Sequence, residues 1–164
     1  MKQMPLALSL VMLVAVLLAG CGKSEEMKKI ETALNKEMMD KHDALMKSIA
    51  DLDDLTAQID TAMTKHDALV KQFPKLTEGH TATDLVAAQE KIAAAKSAMD
   101  SWMRSFKPYD PEAKHDAVIA ALGIEKDELT AMQKQFNEAI SAAKVALKTH
   151  ATATEIVTKK TKKR

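Results

Sequence analysis

Apolar residues return every seven positions along most of this chain. Between Ser24 and Phe73, a stretch without Gly or Pro, one series runs Met38, Leu45, Leu52, Ile59, His66 and Phe73. Leu34, His42, Ile49, Leu55, Met63 and Val70 fill the intervening three- and four-residue steps. Steps of three and four place side chains on one side of an α-helix, so the pattern predicts a helix with a packing seam. Unbroken, such a helix extends roughly 70 Å at 1.5 Å per residue. The acidic run Asp51 to Asp54 is the place where a break is expected.

Phe73-Pro74 and Glu78-Gly79 stop this helix, and the residues between Pro74 and Thr81 read as a loop. Thr81 or Thr83 is suited to cap a second helix, in which Leu85, Ile92, Met99 and Phe106 recur at the same spacing with Ala88, Ala95 and Trp102 beside them. The small alanines permit a partner helix to approach closely. Pro108 ends that helix, and Asp110-Pro111-Glu112 combines a capping side chain, a proline at the first helical position and an acid in the first turn. Gly123 is expected to interrupt the third helix. From about Glu125 to His150 the series resumes as Leu129, Phe136 and Ala143, flanked by Met132, Ile140 and Leu147, and the Thr- and Lys-rich end from Ala151 is expected to fray. No strand-like alternation competes with these periods. The chain is therefore expected to be all-α, an antiparallel up-down-up bundle of about three long helices, with the N-terminal half of the first projecting as a stalk.

The first residues carry an address rather than a fold. Lys2 supplies a positive start, and Leu6 to Leu18 are apolar except for Ser9. That run is shorter than the roughly 20 residues a membrane-spanning helix needs. It closes on Leu18-Ala19-Gly20-Cys21, which resembles the lipobox of bacterial lipoproteins. The resemblance implies that residues 1–20 are a cleaved signal peptide, that Cys21 takes a covalent lipid and becomes the new N-terminus, and that the protein resides in the cell envelope. The alternative is a conventional signal on a secreted product, which leaves one unpaired thiol. With a single cysteine there is no intrachain disulfide, so packing alone must stabilise the domain. Gly22, where a retention signal places Asp, agrees with sorting to the outer membrane. Lys23-Ser24-Glu25-Glu26 resembles a short acidic tag for surface display, although acids at a helix start are also favourable local electrostatics. The expected partition is thus a signal over 1–20, a lipid-anchored helical domain over 21–150 and a basic tail over 151–164.

The chain holds 24 basic and 23 acidic residues, and the first twenty contribute only Lys2, so the two signs balance in the rest. Such balance argues against a nucleic-acid binder. It is uneven locally, because Lys159, Lys160, Lys162, Lys163 and Arg164 crowd the end. Three readings of that cluster stand: a solvated end, a contact with anionic lipid or cell-wall polymer, and a loose architectural resemblance to the murein lipoprotein. The chain departs from the last pattern by ending in Arg164 after Lys163.

Chemistry-bearing motifs are few. The sequence has no Gly-rich phosphate loop and no His-Glu-x-x-His motif, and Cys21 is committed to the lipid, so no enzyme is expected. Lys-His-Asp-Ala occurs three times, at 41–44, 65–68 and 114–117, at spacings too irregular for a solenoid. Adjacent His and Asp are expected on different helix faces. Eight of the eleven methionines lie beyond the signal. Met39, His42 and Met46 fall within one arc of a helix, Met63 and His66 repeat the pair, and Met99, Trp102 and Met103 add a second sulfur-rich face. Thioethers with imidazole select Cu(I) or Ag(I), and these pairs resemble those of periplasmic silver- and copper-buffering proteins. The competing reading makes the same methionines seam fillers and His66 a seam residue satisfied by a neighbouring helix. The body also resembles small helical envelope lipoproteins, some labelled viral A-type inclusion protein repeats, a likeness that implies no activity. The sequence thus favours a non-enzymatic, lipid-anchored spacer or interaction module that needs no cofactor, with an envelope protein, anionic lipid or cell-wall polymer as partner. A Cu(I) or Ag(I) buffer is the alternative.

Overall fold

The computed structural model describes residues 6–75, 77, 82–110 and 112–162, with backbone alone for 6–23 and 161. Three helices follow in order: α1 (Leu6–Gln72), α2 (Thr83–Ser105) and α3 (His115–Lys162). No strand occurs among the described residues. The protein is all-α, a three-helix bundle. Two compact units are built from these helices, one from Met1–Lys41 and Pro108–Glu128, the other from His42–Lys107 and Leu129–Arg164.

In the larger unit the direction of each helix can be followed from paired side chains. His42 of α1 lies beside Trp102 of α2, Asp53 accepts a hydrogen bond from Lys96, and Asp60 accepts one from Gln89. Numbers that rise on α1 while falling on α2 mean antiparallel packing. The α1 segment from Ala57 to Lys65 faces the α3 segment from Leu147 to Glu155 across one groove, and His66 meets His150. The seven-residue series supply the core: Leu45, Leu52 and Ile59 on α1, Leu85, Ile92 and Met99 on α2, and Leu129, Phe136 and Ala143 on α3 are all buried. Ala88, Ala95, Ala139 and Ala146 are buried between them and let the backbones come close. Burying a Leu, Ile or Phe side chain contributes about 1.5–3 kcal/mol each, which is what holds a disulfide-free bundle together.

The smaller unit pairs the first part of α1 with the start of α3. Met38, Val118 and Leu122 are buried there. His115 Nδ1 lies 2.7 Å from Glu31 Oε2, and Lys126 Nζ lies 3.8 Å from Glu37 Oε2. From Glu31 onward, therefore, α1 is packed and is not the free stalk that its sequence suggested.

Other expectations about helix limits give way to tertiary packing. No break occurs at Asp51 to Asp54, because Leu52 and Leu55 are buried while Asp51, Asp53 and Asp54 point outward. The capping position of α2 is Ala82, which makes no side-chain cap bond; Thr83 is the first helical residue and Thr81 lies outside the described residues. The start expected at Asp110 is instead a turn, in which Glu112 N–H donates to Asp110 Oδ1 at 2.9 Å and Ala113 N–H to the Asp110 carbonyl at 3.0 Å. Helix α3 begins only after Lys114, whose carbonyl accepts from Ala117 and Val118.

Gly123 does not interrupt α3, which runs unbroken through it. A helical glycine costs about 1 kcal/mol, and burial of Val118, Leu122 and Leu129 around it offsets that cost. Nor does the chain fray at Ala151. The α3 series continues from Ala143 through His150 to Val157, which is buried, and the helix extends to Lys162.

Candidate functional site

The side chain of Cys21, the expected lipidation residue, lies outside the described side chains, as do Lys163 and Arg164. Among the described residues no helix is long and apolar enough to cross a membrane. At the other end of the chain, Lys159, Lys160 and Lys162 are exposed on the final turns of α3, and Lys159 Nζ lies 2.5 Å from Glu155 Oε1.

The three Lys-His-Asp-Ala elements have identical residues and three different surroundings. The His42 ring packs against Trp102 with ring centres 5.5 Å apart, and its Nδ1 lies 3.1 Å from Asp43 Oδ1. Neighbouring His and Asp are thus within reach here, contrary to the expectation from helical angles, because exposed Asp43 can fold back along the helix surface. His66 meets His150, and His115 meets Glu31. The partner helix, and not the tetrapeptide, decides what each imidazole does. Asp43, Asp67 and Asp116 are exposed in all three.

The methionine positions divide in the same way. Met38 and Met99 are buried in the core, Met63 is half-buried, and Met39, Met46 and Met103 are exposed. Trp102 is buried and stacks on Phe106 with ring centres 5.1 Å apart. Among the described residues, no three His, Cys, Asp or Glu side chains are grouped as a metal-ligand set.

The chemistry-bearing cavity of the larger unit lies where all three helices meet the α1–α2 connection. Its volume is about 220 Å³, and its polar lining comprises His66 from α1, Asp84 from α2, Thr149, His150 and Thr154 from α3, and Thr77 from the connection. Thr77 is buried, and its hydroxyl is hydrogen-bonded to the carbonyls of Phe73 and Pro74, closing the C-terminus of α1. The rings of His66 and His150 lie across the cavity wall with centres 5.3 Å apart and planes inclined at 57°. Burial holds the His150 ring below the usual histidine range, the adjacent His66 lowers it further, and a hydrogen bond to the Ala62 carbonyl works the other way. Thr154 Oγ1 lies 3.4 Å from His150 Nε2.

His66 belongs to the candidates legible in the sequence; His150 does not. The signal was present nonetheless, since Leu129, Phe136 and Ala143 continue in steps of seven onto His150 as Leu45, Leu52 and Ile59 continue onto His66. Two seams that each run into a histidine at the same end of a bundle bring those histidines together. Compared with known proteins, the chain matches no family model, no curated protein and no solved structure.

Proposed function

We propose that this chain is a non-enzymatic, lipid-anchored helical protein of the cell envelope, held at the outer membrane through Cys21 and acting as a spacer or interaction module. The observation that carries the reading is the form of its C-terminal end. Lys159, Lys160 and Lys162 stand exposed on the last helical turns beyond buried Val157, and with Lys159 paired to Glu155 the helix end still carries a net positive charge. Positive side chains near a helix C-terminus are favoured by its dipole and are suited to meet an anionic surface. Several acyl chains at the opposite end, each CH₂ contributing about 0.8 kcal/mol when buried, would hold the protein on a bilayer.

The test begins with the anchor. Cys21→Ala is expected to abolish incorporation of labelled fatty acid and to move the protein from the membrane fraction to the soluble one. A wild-type protein that takes up no label in its native host overturns the lipoprotein reading. Crosslinking in intact cells, comparing the wild type with a variant in which Lys159, Lys160 and Lys162 are glutamine, then identifies what the basic end touches.

A second reading, buffering of Cu(I) or Ag(I) by helix faces bearing Met39, His42, Met46, Met63 and His66, has one observation in its favour. Met46 is an exposed thioether one turn from His42, whose ring lies against an indole that can face a bound cation.

A further inference from the structure

We infer that His66 and His150 together form a two-imidazole site for a borderline divalent cation of the Cu(II) or Zn(II) type. The site joins two helices, takes its second ligand from α3 rather than from a thioether of α1, and does not depend on the lipid anchor.

Geometry is the first support. A cation bound about 2.0–2.1 Å from one nitrogen of each of two imidazoles, at angles between a square and a tetrahedral corner, places the ring centres roughly 4.5–5.2 Å apart. The observed separation of 5.3 Å lies at the wide end, just beyond the tetrahedral value, with the planes inclined rather than parallel. The second support is the way His150 is held. Its Nε2 lies 3.4 Å from Thr154 Oγ1, and its half-buried ring lies against that of His66. A hydrogen-bonding partner of this kind orients an imidazole ring, as the outer partners of metal-binding histidines do. Third, the adjoining cavity is polar on this side. Thr154 lies next to the His150 ring, Thr149 and Asp84 line the same space, and about 220 Å³ leaves room for water to complete the coordination. Imidazole with oxygen donors suits Cu(II) and Zn(II) rather than the softer monovalent ions that thioethers select.

The experiment titrates the full-length protein in detergent with Cu(II) alone and follows it by electron paramagnetic resonance. One equivalent is expected to bind with micromolar affinity and to show coupling to two imidazole nitrogens. His66→Gln and His150→Gln should each weaken binding by about tenfold or more and remove one nitrogen coupling, whereas His115→Gln, beside Glu31 in the smaller unit, should change neither. Should either variant lose its helical circular dichroism, Zn(II) added to the wild type decides the matter by NMR. Ring signals of His66 and His150 shifting together, with those of His42 and His115 unmoved, support the site. Cu(II) bound as tightly by both folded variants, or Zn(II) that leaves the two rings unmoved, overturns it.

Discussion

Folding takes the His150 ring partly out of water and sets it beside a second imidazole, and both effects disfavour its protonated form. The groups facing it are His66 and Lys65 on α1, Asp84 on α2 and Glu155 on its own helix. Because the native value is lowered, the unfolded chain takes up its proton first as pH falls. The unfolded state then holds more protons, and stability declines with falling pH. The decline begins near the ordinary histidine value of about 6.5 and ceases to grow below the lowered native value. Urea unfolding between about pH 8 and pH 5 should show the wild type losing stability toward the acid side, and His150→Gln should flatten that slope. An unchanged slope in the variant would assign the effect to another group. At this scale the sequence revealed less than the structure. Residues 66 and 150 are adjacent only after α1 and α3 pack, and no spacing within one helix encodes that contact, whereas the arc of Met39, His42 and Met46 is local and therefore visible.

The elements show where local signals yield to tertiary ones. Each seven-residue series predicted a core stripe that is buried over most of its length, with His66, Phe73 and Phe106 half-buried at its ends and Val70 exposed, because a helix in a bundle has one face to hide and the period of the sequence must follow it. The helix ends were harder to read. Asp110-Pro111-Glu112 carries the local marks of a helix start but forms a turn, and Gly123 carries those of an interruption but lies inside α3. Caps and single glycines contribute about a kilocalorie per mole, less than one buried side chain of the adjoining seam. Gly123 therefore offers a direct measurement. A Cβ built there meets nothing within 4 Å, and alanine restricts the unfolded chain without straining the helix. Gly123→Ala is expected to stabilise the protein by about 0.5–1 kcal/mol, seen as a higher urea midpoint at unchanged slope. A destabilised variant would mean that the helix does not continue through residue 123.

Taken as a whole, the molecule has only Leu, Ile, Val, Met and Ala with a few aromatics to build its interior, and it has one tryptophan. The architecture was legible because long helices with short connections allow few arrangements; the task was less so, because a helical period states which face is buried and not what the exposed faces meet. Trp102 makes part of this question optical. It is the sole indole, buried at the end of α2 and in ring contact with His42. A cation held by His42 and its neighbouring thioethers would sit against the fluorophore and change its emission. His66 lies 24 residues farther along α1, about 36 Å by helical rise, beyond the reach of contact quenching. Steady-state emission during one titration should thus stay constant while Cu(II) fills the His66–His150 site, and fall if the first equivalent goes to His42. A single indole, placed at one end of the unit and away from the other and excited apart from Tyr109, reports the address of the metal without a label.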